Sequence, residues 1–313
     1  MQPAFSVIFL TTLAGAAQGL FLALFGAELM LTGPLAPVDL QKFLGVGSLV
    51  ALVMTGLGLV ASFFHLGHPE RAWRSAAMWR TSWLSREVIA LPLFMAGLFV
   101  YACVQFFGLA SSKWVGAATT VFCIALFVCT AMIYASLRFL QEWASPWTLI
   151  NYFLLGSASG LTLATLLAAM HQQPALAQYF GLAAIGLTAL GWITRSASLA
   201  RNAALKPKST LQTAIGIKHP KIVQKAQGFM GGSFNTREFF HGKSAAMLRT
   251  VKWSFLVLTF PLPLLLLWLG LTTRSTEAFF MAFAVQYVGL IAERWFFFAQ
   301  ANHPQNLYYQ NIS

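Results

Sequence analysis

The feature that most limits what this chain can fold into is a series of apolar runs, each about as long as a bilayer is thick. They cover residues 5–31, 42–64, 87–108, 114–138, 147–170, 175–194, 251–272 and 277–298. A helix needs roughly 20 apolar residues to cross the hydrocarbon core. The runs are continuous rather than alternating, so they read as helices and not as the strands of a barrel. Only 9% of the 313 residues are charged, against about 25% in a soluble domain. The expectation is an all-α polytopic membrane protein with eight transmembrane helices, residues 1–313 forming a single integral membrane domain. The first run follows Met1-Gln2-Pro3-Ala4, which has no basic residue, and it is too long for a cleaved signal. It is expected to remain as a helix.

Basic residues orient these spans. With eight crossings, both termini share one side with the loops after the second, fourth and sixth helices. Of the chain's 20 Lys and Arg, only Lys42, Lys113 and Arg274 fall on the other side. The positive-inside rule then places both termini, the loop from His65 to Glu87 and the segment 195–250 in the cytoplasm. Long loops weigh less in this rule. Without the long segment, Arg71, Arg74, Arg80, Arg86, Arg138 and Arg294 still outnumber the opposing three. The 195–250 segment is basic and broken by Pro207, Pro220, Gly228, Gly231, Gly232 and Gly242, so it does not read as one long helix. It suits a strip on anionic lipid head groups or, given Phe229, Met230, Phe234, Phe239 and Phe240, a docking platform for a soluble partner. Nucleic acid is not an expected partner of a membrane loop. The tail from Asn302 to Asn311, with Tyr308 and Tyr309, is expected to pack against something.

Polar residues inside the spans are few. Gln18, Gln105, Tyr134 and Gln286 lie within helices, Glu28 near the outer end of the first, and Glu293 and Arg294 near the inner end of the last. Such groups are expected to face the bundle interior. For Gln18 and Gln286 the simplest reading is a hydrogen bond between helices; for Glu293 and Arg294 it is a local ion pair or snorkelling. Small residues at Ala14–Ala17 and Gly19, and at Gly45, Gly47, Gly56 and Gly58, allow helix backbones to approach closely. Pro92, Pro261 and Pro263 are positioned to kink the third and seventh helices. Cys103, Cys123 and Cys129 form no C-x-x-C pair, and a cluster normally needs four thiolates, so no iron–sulfur cluster is expected here. His65, His68, His171, His219, His241 and His303 all fall at helix ends or in loops. No haem and no metal site is expected.

The densest chemistry is the segment His65-Leu66-Gly67-His68-Pro69-Glu70-Arg71-Ala72-Trp73, followed by Ser82-Trp83-Leu84-Ser85-Arg86-Glu87. It gathers histidine, arginine and glutamate at the mouth of one helix pair. A quinone needs two electrons and two protons to become a quinol, and its head group sits near the membrane surface. Histidine donates or accepts protons near neutral pH. A half-buried carboxylate such as Glu87, opposed by Arg86 or Arg71, is poised for proton exchange. The plainer reading is a boundary histidine and a helix-start glutamate that favours the helix dipole.

The pattern H-L-G-x-P-x-R-A then S-x-L-S-x-E, carried by His65, Gly67, Pro69, Arg71, Ala72, Ser85 and Glu87, resembles the membrane anchor subunit family of dimethyl sulfoxide reductase. The resemblance extends over the eight-span layout. It implies that His65 and Glu87 are the catalytic pair at a quinone site, with Arg71 as a supporting contact. The stretch Asn235-Thr236-Arg237-Glu238-Phe239-Phe240-His241-Gly242 and the end from Glu293 to Tyr309 look like the branch that includes the anchor of a cytoplasmic, quinone-reducing sulfite dehydrogenase. A three-subunit complex at a bacterial inner membrane is thereby implied. A partner carries the molybdenum bis-pterin cofactor, an electron-transfer partner carries iron–sulfur clusters, and this chain supplies the membrane anchor and takes ubiquinone or menaquinone as diffusible substrate. The same architecture run in reverse, with menaquinol reducing dimethyl sulfoxide or another oxide, is the nearest alternative. A secondary transporter is the alternative from another class.

Overall fold

The computed structural model describes residues 1–31, 39–223, 239–304 and 306. Among these residues every regular element is helical. In chain order they are α1 (Phe5–Met30), α2 (Leu40–Phe63), a 3-10 helix (Pro69–Met78), α3 (Trp83–Phe106), α4 (Ser112–Ala135), α5 (Pro146–Met170), α6 (Pro174–Ala203), the short α7 (Leu211–Ile215), α8 (Ala245–Thr259), α9 (Pro261–Thr273) and α10 (Thr276–Ala299). The local sequence explains several starts. Ser82, Ser244 and Ser275 accept a hydrogen bond from the backbone N–H three residues on, and Ser145 caps α5 ahead of Pro146.

Among the described residues seven segments are long and apolar enough to cross a membrane: α1 to α6 each, and α8 with α9 taken together. The expected seventh span is therefore two helices with a break. The break falls at Phe260, whose φ of −117° and ψ of −80° stop the first helix before Pro261 and Pro263. Gly289 of α10 fills the notch, since a methyl there would lie 2.6 Å from the Thr259 nitrogen. The expected eighth span, α10, is 24 residues long but carries Glu277, Glu293 and Arg294, and it is not among the seven. Topology still makes it a crossing. Asn302, just past α10, donates to the Glu142 carboxylate at 3.0 Å, and Glu142 follows α4. An even number of crossings must separate them, and α5, α6, the α8–α9 pair and α10 satisfy that.

The bundle is built around α1 and α5, the two most buried spans. Their backbones touch. A Cβ at Gly19 would collide with the Gly156 oxygen, and one at Gly160 would collide with the Leu20 nitrogen. The small residues of α1 thus meet Gly156 and Gly160 of α5. On the other side of α1, the position of a Cβ on Gly58 of α2 is 3.3 Å from the Leu10 oxygen. Where side chains rather than backbones meet, the contacts are aromatic: Phe21 meets Phe94 and Tyr101 edge-on, with centroids 5.9 and 5.5 Å apart.

One span departs clearly from its expected length. Hydropathy alone ends the sixth run at residue 194, before Arg195, but α6 continues to Ala203. Arg195 is only 1% exposed. It stays inside because its charge has a partner there.

Candidate functional site

The start of α3 sorts its side chains by charge and shape. Ser85 and Glu87 turn inward, and Arg86 turns out. Arg86 lies over the Trp83 ring at 4.2 Å and donates to the carbonyls of Trp79 and Arg80 at 2.9 and 2.7 Å. It thereby satisfies orphan carbonyls of the preceding turn and leaves Glu87 free to face the bundle. Glu87 is 9% exposed and accepts a hydrogen bond from Thr130 Oγ1 of α4.

Beside this carboxylate is a small cavity of about 20 Å³, room for a single water molecule. It sits where α1, α3, α4, α5 and α10 converge. Thr11, Thr12, Gln18, Thr130, Tyr152, Ser159 and Arg294 supply its other polar side chains, and Leu91 and Phe127 are among its apolar walls. Gln18 is already engaged across the bundle, its Nε2 donating to the Cys123 carbonyl at 2.8 Å. The second expected glutamine link is also present, from Gln286 Nε2 to Thr188 Oγ1 at 3.1 Å.

The cavity adjoins a buried charge network. Glu293 of α10 pairs with Arg195 of α6 at 2.7 Å and more loosely with its neighbour Arg294 at 3.7 Å. The main pair is therefore between helices rather than local. Arg294 is 5% exposed and stacks its guanidinium on the Tyr152 ring at 3.6 Å. Behind it stands an aromatic box in which Trp143, Tyr134, Tyr152, Phe297 and Phe298 pack ring on ring. Trp143 also donates its indole N–H to the Phe297 carbonyl at 2.8 Å. Two guanidiniums and two carboxylates are thus buried together at this end of the bundle. Taken as ionised they balance, and protonating Glu87 leaves one excess positive charge facing the cavity.

The other sequence candidates lie elsewhere on the same end. α2 and α3 pack side by side, so His65 after α2 and Glu87 in α3 share one mouth. His65 is exposed, as is Arg71, whose Nε is 3.6 Å from Glu70. Glu70 also meets His68 at 3.0 Å. Neither His65 nor Arg71 lines the Glu87 cavity. Glu28, at the opposite end of α1, is buried and accepts a hydrogen bond from Tyr101 Oη at 2.7 Å. Thr130, Tyr152 and Arg195 are not marked out by the sequence. The first two look like ordinary helix residues, and Arg195 has the sequence context of a loop.

Around the termini, Phe239 stacks on His303 with ring centroids 3.9 Å apart, and Phe139 meets the same ring at 5.5 Å. The beginning of the tail is therefore packed, as expected. Gly228, Phe229, Met230, Gly231, Gly232, Phe234, Asn235 to Glu238 and Leu307 to Asn311 lie outside the described residues. Among the described residues no group of three or more His, Cys, Asp or Glu side chains is placed to hold a metal ion.

Comparison with known proteins agrees with this architecture. The chain is 53% identical, over its full length and that of its relative, to a sulfite dehydrogenase subunit of Allochromatium vinosum. The family model described as DMSO reductase anchor subunit (DmsC) matches residues 1–298. A membrane-length helical bundle, a family match over nearly the whole chain and a relative aligned from end to end lead to one conclusion: the chain belongs to the DMSO reductase anchor subunit family.

Proposed function

We propose that this chain is the quinone-reactive membrane subunit of a sulfite-oxidising molybdenum enzyme of the cytoplasmic face. The observation that carries the reading is Glu87, a carboxylate held inside the bundle in the first turns of α3, beside a cavity that Thr130, Tyr152 and Arg294 also line. Reduction of a quinone consumes two electrons and two protons. In this reading the electrons come from a partner's iron–sulfur clusters, after sulfite and water give sulfate on the molybdenum-bearing partner. The protons pass through Glu87, with Thr130 orienting its carboxylate. The Arg294–Tyr152 stack supplies positive charge that favours the anionic forms of a half-reduced head group. His65 and Arg71 serve at the exposed rim, where protons are exchanged with water. The full-length likeness to a sulfite dehydrogenase subunit supports sulfite as the reductant, and the basic end of the bundle supports a cytoplasmic face.

The test is sulfite-dependent quinone reduction in inner membranes from cells with and without the gene. Activity that disappears with the deletion supports the proposal. Unchanged activity overturns sulfite as the electron source and favours quinol-driven reduction of an oxide.

A further inference from the structure

The cavity beside Glu87 has room for one water, and a quinone ring is several times larger, so a wall must move to admit it. The wall between α1 and α5 has nowhere to go. On the α1–α5 side, Gly15 and Gly156 are in backbone contact, a Cβ on Gly156 standing 3.0 Å from the Gly15 oxygen. Phe127 is different. Its ring is 3% exposed and forms part of the cavity, but it also forms part of a second hollow on the outer side of the bundle. That hollow is a groove of about 490 Å³ along α5, between α4 and α6, a volume in the range of roughly 300–1,000 Å³ typical of ligand pockets. Its walls are Ile124 and Val128 of α4, Ile150 and Phe153 of α5 and Leu190 of α6. Thr194 is the polar exception, and its hydroxyl is taken up by Asn151 Oδ1 at 2.8 Å. Phe153 stands at the groove's edge, 39% exposed, with its ring centroid 5.1 Å from that of Phe127.

One aromatic ring therefore separates an apolar groove facing the acyl chains from a polar cavity holding a carboxylate. Gly156 lets the ring lie there, because a Cβ at that position would be 2.7 Å from Phe127 Cε1. A molecule with a polar ring and a long hydrocarbon tail matches the two compartments in that order. We propose that the groove between α4, α5 and α6 holds the isoprenoid chain of the quinone, and that the head group reaches Glu87 past Phe127. This rests on the quinone reading given above.

The test uses the assembled complex in membranes, with sulfite as reductant and two quinones, one with a single isoprene unit and one with a long polyisoprenoid chain. Phe153→Trp and Leu190→Trp narrow the groove from its exposed edge without entering the cavity. Dye-linked sulfite oxidation by the membranes confirms that the complex is intact. The expected result is a KM about tenfold higher or more for the long-chain quinone, with the short-chain KM changed less than about twofold. Phe127→Trp, which enlarges the dividing ring, is expected to lower kcat/KM for both quinones. Equal shifts for both quinones in the groove variants, or none, overturn the groove, as does an unchanged kcat/KM in Phe127→Trp. Glu87→Gln separates the groove from the quinone site itself. If it abolishes quinone turnover while the groove variants are silent, only the groove fails; if it leaves turnover intact, the quinone reading fails and the groove assignment with it.

Discussion

At the residue scale, Glu87 is an ionisable group placed where solvation must come from the protein. Thr130 Oγ1 provides one hydrogen bond, and the cavity opposite leaves space for a proton carrier. General acid–base groups typically contribute about 100- to 10,000-fold to a rate, so Glu87→Gln is expected to cut quinone turnover by at least about 100-fold. Sulfite oxidation with an artificial dye should survive, because the soluble subunits are untouched. His65→Ala, at the exposed rim, should cost less than Glu87→Gln. Retention of full quinone activity by both variants would remove the site from the proposal. The Arg195–Glu293 pair makes a second prediction. Breaking a buried ion pair by removing one partner costs about 3–5 kcal/mol. Glu293→Gln should therefore lower the apparent Tm of the purified subunit sharply, and Arg195→Gln/Glu293→Gln should recover part of the loss. A double variant less stable than either single one would mean that the pair is not the stabilising unit.

At the element scale, the α1–α5 contact is what the rest of the bundle is built on. Small residues drive such contacts because van der Waals packing, not the hydrophobic effect, holds helices together in lipid. A β-branched side chain at Gly160 would need space now filled by the Leu20 nitrogen and the Gly19 backbone. Overpacking costs about 1–3 kcal/mol even where side chains can adjust, and backbone cannot. Gly160→Val is expected to abolish accumulation of folded protein in membranes, whereas Gly186→Val, at a position with open space around it, should be tolerated. Equal levels of the two on a membrane blot would contradict this account. The tail is a more weakly held element. Burial first, and the positive amino terminus second, lower the pKa of His303 below its usual 6.5. The docked ring favours the neutral form, so the packing it contributes is complete above pH 6.5 and is lost as the pH falls through the lowered value. The protection factors of the Ala301, Asn302 and His303 amides, taken against the intrinsic exchange rate at each pH, should therefore fall in mild acid, and His303→Phe should remove that dependence. Protection factors that stay constant with pH in the natural chain would refute it.

At the scale of the whole molecule, most of the basic residues share one end with the buried Glu87, Arg195, Glu293 and Arg294. In the proposed orientation that end faces the cytoplasm, so a reporter fused after Ser313 should be active only as a cytoplasmic reporter. Periplasmic activity would reverse the orientation and with it the preference for a cytoplasmic sulfite enzyme. A cleft of about 580 Å³ opens on the same end between Phe139, Glu142, Lys206, Lys208 and His303. In the proposed reading this cleft, together with the exposed Trp73 and Trp79 of the 3-10 region, would face the soluble partner.

Hydropathy by itself determined that this chain is a bundle of membrane-length helices, because a backbone in lipid has no other way to satisfy its hydrogen bonds. It also located Glu87, since a carboxylate at a span boundary is conspicuous against 9% charge. The proline pair located the break in the seventh span for the same reason: a missing N–H is visible in the sequence. What hydropathy could not determine is which polar groups meet. Arg195 reads as the first residue of a loop and is a buried helix residue, because its partner Glu293 is nearly a hundred positions away and only packing brings α6 to α10. Thr130, Tyr152 and Phe127 have nothing in their local sequence to mark them. Their place around Glu87 follows from the close approach of α1 to α5, which depends on glycines in both helices at once. That is a property of helix pairs, and the tertiary structure alone decides which pairs form.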